Sequence, residues 1–215
     1  MTDSQWQQAF VKYQQTPEFR QVNHAMDIAA FKGIFWWEYF HRLLGRLIGV
    51  AFVMPLVWFA VRRRLPPGLG LPLATIFALG GLQGAMGWYM VSSGLVDDPH
   101  VSHFRLAAHL GLALAIFAGM FWIALSLLRP PLPRHSPRTR ELGRAGIAVA
   151  MLIFAMALTG GLVAGLRAGS AYNTFPLMNG YIVPPEILVL VPWYENFAYN
   201  MATVQFDHRL LAWVL

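Results

Sequence analysis

The chain alternates long apolar stretches with short polar stretches that hold most of its charged residues. A helix needs about 20 mostly apolar residues to cross a bilayer, and four stretches reach that length. These predicted spans cover residues 36–61, 71–91, 104–128 and 145–166. A further apolar stretch runs from 204 to Leu215 and gives only the start of another span. The pattern predicts an all-α membrane protein, a transmembrane helical bundle with four full spans and the start of a fifth.

The residues before the first span are polar and aromatic and do not predict a membrane helix. Thr16 suits the N-cap of a helix, and Pro17 suits its first position. The apolar residues of 19–30 then fall on roughly one helical face. We therefore interpret residues 1–35 as an amphipathic segment at the outer membrane surface, with one helix that continues into the bilayer edge. Pro55, inside the first span, predicts a kink there.

The basic residues predict the orientation of the spans. Arginine-rich connections at 62–64 and 129–144 belong on the inner side by the positive-inside rule. The N-terminal segment and the connections at 92–103 and 167–202 then lie outside. The predicted organisation is an outer segment 1–35, an N-terminal bundle 36–128, a basic inner loop 129–144 and the start of a C-terminal bundle 145–215.

Glycines recur at helical spacing in two of the predicted spans. They are Gly80, Gly81, Gly84 and Gly87 in the second span, and Gly161, Gly165 and Gly169 at the end of the fourth. Small residues at this spacing let membrane helices approach closely. We interpret both rows as packing devices.

Composition narrows the class of function. Of the 215 residues, 57% are hydrophobic and 12% are charged, and a soluble domain usually carries about twice that charge. The net charge of +6 is spread over loops and helix ends, so no nucleic-acid partner is predicted. The absence of cysteine excludes disulfides, Cys-ligated zinc and iron–sulfur clusters. Histidine is left as the strong nitrogen ligand for a metal.

The start of the first span carries ionisable groups in an otherwise apolar run. Ionisable residues inside a membrane segment are costly and indicate a functional site. Glu38 and His41 are three residues apart and share a helical face. His41, Gly45 and Gly49 are four apart and form one stripe. An imidazole above two positions without side chains leaves a slot in which a flat ligand can lie against the backbone.

Two later helices repeat this pattern. His109 lies near the start of the third span, and Arg105 is one turn before it on the same face. His208 is followed by Arg209, as in the pattern that begins at His41. His41 and His109 are predicted at similar depth from the outer side. Two imidazoles at one level on different helices would hold a metal between them.

Each of these groups also has a simpler interpretation. The histidines fit a helix-packing role, in which an imidazole makes a hydrogen bond between helices. Glu38 fits either a group that holds an imidazole or arginine, or an acid that moves protons. Arg42, Arg105 and Arg209 fit either lipid phosphates or the carboxylates of an anionic ligand. Their position beside the histidines favours a ligand with carboxylates, and haem combines a flat macrocycle with two propionates.

Four stretches carry a specific family resemblance. They are residues 31–46, 101–110, 165–178 and 206–209. These stretches resemble haem A synthase in its proteobacterial and mitochondrial form, and the resemblance covers nearly the whole chain. It implies eight membrane helices in two pseudo-symmetric bundles, each with a haem between two histidines. It also implies the oxidation of the C8 methyl of haem O to a formyl group, giving haem A for terminal oxidases.

The resemblance implies a role for each site residue. His41 and His109 match the histidine pair on the substrate side, and Glu38 matches the essential acid. His208 matches the first axial ligand of haem b, the expected cofactor. The cofactor-binding residues expected beside these histidines are Arg42, Arg105 and Arg209. The first family helix and the last two to three are not matched by residues 1–215, so we expect a fragment.

The remaining expectations concern partners and location. We expect a multi-pass protein of the bacterial inner membrane, with its histidine sites toward the outer face. The expected partners are the lipid bilayer and haem O, with haem O synthase and a second copy of the chain as further candidates. The alternative function is a non-catalytic dihaem b-type cytochrome that only transfers electrons. It explains the histidines and arginines but not an acid on the ligand face.

Overall fold

The computed structural model describes residues 1–94, 101–129 and 137–215. Its α-helices are α1 (Asp3–Gln14), α2 (Pro17–Gln21), α3 (Ile28–Val61), α4 (Gly70–Gly94), α5 (His103–Leu128), α6 (Pro137–Gly165), α7 (Ala168–Ala171), α8 (Asn196–Tyr199) and α9 (Met201–Val214). A 3₁₀-helix covers Trp193–Glu195. Within these described ranges there is no β-strand, and Met178 and Tyr181 form an isolated antiparallel bridge. The predicted all-α class is confirmed.

Four of the helices, α3 to α6, are long and apolar enough to cross a membrane. The chain is therefore a multi-pass integral membrane protein, as the apolar pattern predicts. The last helix, α9, has 14 residues and is too short to cross. Pro55 lies inside α3, where it removes one backbone hydrogen bond.

Two helix boundaries differ from the predicted spans. The first span belongs to a helix that already begins at Ile28, and α6 begins at Pro137 instead of near 145. Part of the predicted 129–144 loop is therefore helical. Apolar content locates the membrane part of a helix, but helices continue into the polar layer where good helix formers such as Arg, Glu and Leu follow. The connections predicted at 92–103 and 129–144 lie partly outside the described residues.

The described residues form two compact units, Met1–Val101 and Ser102–Leu215. Helices α1 to α4 belong to the first unit, and α5 to α9 belong to the second. The predicted division into an N-terminal and a C-terminal bundle at 129–144 stays a prediction.

In the first unit, α1 packs its aromatic side chains on the start of α3. Trp6 and Phe31 are buried, with ring centroids 6.4 Å apart. Trp6 also contacts Phe35 at 4.9 Å, and Tyr13 stacks on Phe31 at 5.1 Å. Aromatic pairs at these distances stabilise the contact beyond their buried area. The polar character of the N-terminal residues concealed this helix.

The predicted helix across 19–30 is wrong in its extent. Thr16 does cap α2, and Pro17 is its first residue, as predicted. The helix ends at Gln21, however, and just beyond it the Asn23 side chain donates to the Tyr13 hydroxyl at 2.7 Å. A new helix then starts where Asp27 accepts a hydrogen bond from the Ala30 amide at 2.8 Å.

In the second unit, α6 packs against both α5 and α9. The chain between α6 and α9 is held by two buried asparagines. Asn196 donates to the carbonyls of Leu190 and Trp193 and accepts from the Leu190 amide. Asn200 donates to the Glu186 carbonyl at 2.8 Å and caps α9. Buried polar groups need such partners, so the two amides fix the path of this connection.

Candidate functional site

The first candidate group lies on α3 in the first unit. Glu38 accepts a hydrogen bond from the guanidinium of Arg42, one helical turn further on. Both side chains are about half-exposed, and His41 is exposed. The spacing of four residues brings the carboxylate and the guanidinium to one face of the helix. The carboxylate is thus paired with Arg42, and the predicted catalytic role of Glu38 stays a prediction.

The face of α3 that carries His41 has open backbone below it. A Cβ added at Gly45 or Gly49 would have no described atom within 4 Å. Further along the same face, Phe52 stacks on Phe77 of α4, with ring centroids 6.2 Å apart and planes 4° apart. The face of α3 that begins at His41 therefore contacts α4 at Phe52 and is open at Gly45 and Gly49. The predicted ligand slot at this face stays a prediction.

The second candidate group lies on α5 in the second unit. His103, Ala107 and Gly111 of α5 are spaced four residues apart and face α6. A Cβ on Gly161 would meet the Ala107 backbone at 2.9 Å, and one on Gly165 would meet His103 at 2.5 Å. His109 lies two residues after Ala107, about 200° around the helix. Its ring therefore projects from the side of α5 that does not pack on α6, and Arg105 shares that side.

The third candidate group connects α6 and α9. The Thr159 hydroxyl lies 3.0 Å from Nδ1 of His208. A Cβ added at Gly160 would lie 3.1 Å from Cε1 of the same ring. The imidazole thus lies directly against the backbone of α6, because Gly160 has no side chain. The sequence indicated His208 but not these two contacts.

Arg209 follows His208 on α9 but turns to the loop. Its Nη2 donates to the carbonyl of Tyr172 at 2.7 Å, and its Nη1 donates to the carbonyl of Leu177 at 3.3 Å. In this arrangement the guanidinium connects α9 to the residues after α7. The prediction that Arg209 binds a cofactor carboxylate stays a prediction.

Tyr172 links this loop to a carboxylate. Its hydroxyl donates to Glu186 at 3.4 Å. Burial raises the pKa of the Tyr172 hydroxyl above its ordinary value, and the negative charge of Glu186 raises it further.

The predicted site residues fall into both units. Glu38, His41 and Arg42 belong to the first, while Arg105, His109, His208 and Arg209 belong to the second. The predicted pairing of His41 with His109 stays a prediction. Across the ranges described above, no group of three or more His, Cys, Asp or Glu side chains converges as a metal site. A haem iron needs only axial ligands from the protein, so two imidazoles are enough to hold it.

Comparisons with known proteins give a consistent result. The family model described as cytochrome oxidase assembly protein, COX15-CtaA, matches residues 1–215. A protein of Nitrosospira multiformis named Heme A synthase is 57% identical over 217 residues, covering 100% of this chain and 61% of that protein. The protein of the same name from Nitrosomonas eutropha is 56% identical, covering 98% of this chain and 60% of its own length. That from Parvibaculum lavamentivorans is 46% identical, covering 100% of this chain and 62% of its own.

No solved structure matches the chain. The chain spans about 60% of the length of the curated relatives it matches.

Proposed function

This chain belongs to the COX15-CtaA family of cytochrome oxidase assembly proteins, and from that premise we propose that it acts as a haem A synthase. The reaction oxidises the C8 methyl of haem O to a formyl group and gives haem A for terminal oxidases. Relatives that carry this name match the chain over its full length. Haem O is the substrate, and the bilayer supplies it.

One observation supports this function above the others. The Glu38–Arg42 pair lies beside His41, on a helix face with open backbone at Gly45 and Gly49. An electron-transfer cytochrome needs the imidazole and the open face but has no use for a carboxylate there. A synthase needs an acid or base near the carbon that is oxidised, because hydrogens leave the methyl as it becomes a formyl group.

Each predicted site residue has its own proposed role toward haem O. Imidazoles are common axial ligands of haem iron, so His41 and His109 hold the substrate between them. Arg42 and Arg105 bind the propionates, as guanidinium–carboxylate pairs do elsewhere. Glu38 would lie near the methyl and take up a proton that is released when an external electron acceptor oxidises this carbon. Holding the methyl about 3–3.5 Å from its reaction partner is the main contribution of the bundle.

His208 holds haem b, which supplies one-electron redox chemistry when bound. The donor set fits this cofactor, because the ring lies against Gly160 with one nitrogen at Thr159 and the other left to coordinate iron. Arg209 orders the loop above this ring through the carbonyls of Tyr172 and Leu177.

The location follows from the basic connections. The arginines at 62–64 and those at the start of α6 lie on the cytoplasmic side of the bacterial inner membrane. The histidine sites then lie toward the outer face. Haem O synthase and a second copy of the chain are the candidate protein partners.

The function is tested in a bacterial host that makes haem O but no haem A. The full chain is expressed alone, and in parallel residues 1–215 replace the matching region of the Nitrosospira relative. Extracted pigments are separated by chromatography and identified by mass. We expect haem A from the chimera, and Glu38→Gln should reduce its formation by about 10²- to 10⁴-fold, the usual contribution of a positioned acid or base.

Glu141→Gln is the matched control, because Glu141 is exposed on α6. It should leave haem A formation unchanged. Unchanged turnover in Glu38→Gln would remove this carboxylate from the mechanism. An extract that contains haem b but neither haem A nor a hydroxylated haem would support the dihaem cytochrome instead.

A further inference from the structure

Thr159 makes two hydrogen-bond contacts with one hydroxyl group. Its oxygen lies 2.9 Å from the carbonyl of Met156, one turn earlier on α6, and 3.0 Å from Nδ1 of His208. A hydroxyl has one hydrogen to donate and can accept through its lone pairs. The carbonyl can only accept, so the Thr159 hydrogen belongs to Met156. The oxygen then accepts from His208 when Nδ1 carries the hydrogen of that bond.

The reverse arrangement satisfies fewer contacts. If the Thr159 hydroxyl donated to Nδ1, its contact with the Met156 carbonyl would have no hydrogen. Buried polar groups are paired in nearly all folded proteins, so the arrangement that satisfies both contacts is favoured. In it the neutral imidazole has its hydrogen on Nδ1 and a lone pair on Nε2.

The backbone around Thr159 holds the ring in place. Gly160 lets the imidazole approach, since a Cβ there would lie 3.1 Å from Cε1, 3.7 Å from Nδ1 and 3.8 Å from Nε2. On its other side α6 is packed tightly against α5 through Gly161 and Gly165. The helix that carries Thr159 is thereby fixed between two neighbours.

We propose that Thr159 is a positioning residue for His208: it fixes the imidazole as the Nδ1–H tautomer and presents the Nε2 lone pair to the iron of haem b. This inference rests on the proposed function, in which His208 is a haem ligand. It assigns a task to a residue that makes no contact with the haem itself. Partners of this kind orient the ligand ring and raise its basicity, and their loss typically costs about 10- to 100-fold in metal affinity.

The first test needs neither haem nor a variant of Thr159. The full chain, labelled with ¹⁵N-histidine, is reconstituted in lipid and studied by NMR, with His208→Gln used to assign the signal among seven histidines. We expect the hydrogen of His208 on Nδ1. A hydrogen on Nε2 in the neutral ring would overturn the proposal.

The second test measures haem binding. The chimera with the Nitrosospira relative is titrated with iron protoporphyrin, and the Soret band and midpoint potential are recorded. Thr159→Val keeps the shape but removes the hydroxyl, so we expect affinity about 10- to 100-fold weaker and a higher midpoint potential. Thr159→Ser should restore both. Ser126→Ala is the control, because Ser126 on α5 donates to the Ile123 carbonyl in the same local geometry without a histidine.

The outcomes separate this inference from the function. Wild-type binding and potential in Thr159→Val, or no haem binding by the chimera at all, would overturn the positioning role. Intact Thr159-dependent binding without conversion of haem O would refute the synthase activity and leave the role of Thr159 standing. If Thr159→Val does not fold, the tautomer of His208 measured in the unaltered chain still decides whether the proposal for Thr159 holds.

Discussion

The glycine rows of α4 and α6 look alike in sequence but differ in the structure. A Cβ added at Gly80, Gly81 or Gly84 of α4 would have no described atom within 4 Å. On α6, Gly161 and Gly165 lie against the backbone of α5, and Gly160 lies against His208. The prediction that both rows are packing devices is borne out for α6. On α4, Gly80, Gly81 and Gly84 have no packed neighbour among the described atoms.

This difference separates the two candidate haem sites. In the second unit, glycine creates a close contact that fixes a histidine on its neighbouring helix. In the first unit, Gly45 and Gly49 leave open backbone beside an exposed His41. Under the proposed function, a resident cofactor would gain from a fixed ligand, whereas exchange of haem O for haem A would gain from an accessible face.

The largest effect is expected from filling the close contact between α5 and α6. In Gly161→Ala the new methyl would lie 2.9 Å from the Ala107 Cα, which is backbone and cannot turn aside. Overpacking of this kind costs about 1–3 kcal/mol. Gly81→Ala on α4 meets no described atom and should be neutral or stabilising by up to about 1 kcal/mol. Denaturant unfolding of the lipid-reconstituted chain measures both, and equal effects would remove the contrast between the rows.

A smaller effect is expected in the connection before α9. Asn196 is fully buried, and Asn196→Ala leaves the amide and carbonyl of Leu190 and the carbonyl of Trp193 without this partner. An unsatisfied buried group costs about 1–3 kcal/mol. Limited proteolysis should then cut the loop faster than in the unaltered chain. Asn173→Ala, at an exposed position, is the control, and matching cleavage rates for the two variants would contradict the role of Asn196.

The smallest effect concerns alkaline pH. The pKa of Tyr172 is raised above its ordinary value of 10.0 by burial and by Glu186. As the pH rises above 10.0, the Tyr172 hydroxyl loses its proton in the unfolded chain before it does so in the folded chain. The stability that Tyr172 contributes is therefore lost as the pH rises through the raised pKa. The ultraviolet phenolate titration of the unaltered chain minus that of Tyr172→Phe should show this late component. Glu186→Gln should move it to lower pH, and a component with ordinary pKa would contradict the account.

The membrane helices could be predicted because their signal is local. A run of apolar residues gives a span whatever its neighbours, and Thr16 with Pro17 gives a helix start from adjacent positions. Helix α1 has a weaker signal, which is the spacing of Trp6, Phe10 and Tyr13 on one face. Their role becomes evident only in the structure, where the three rings contact Phe31 of α3.

Contacts between distant residues could not be predicted. Thr159 and His208 are 49 positions apart, so nothing in either local pattern assigns one to the other. The bond between Asn23 and Tyr13, just beyond the end of α2, likewise depends on how α1 and α2 meet. The site residues themselves stood out because charge is costly in an apolar run.

The proposed function depends most directly on His41 and His109 as the pair of imidazoles that holds haem O. The most direct test replaces each in turn by methionine, as His41→Met and His109→Met, in the haem O-loaded chimera and records optical and electron paramagnetic resonance spectra. The account predicts that either change converts the same bis-histidine signal into a histidine–methionine signal and leaves the haem b signal intact. A spectrum that responds to only one of the two, or to neither, would contradict it.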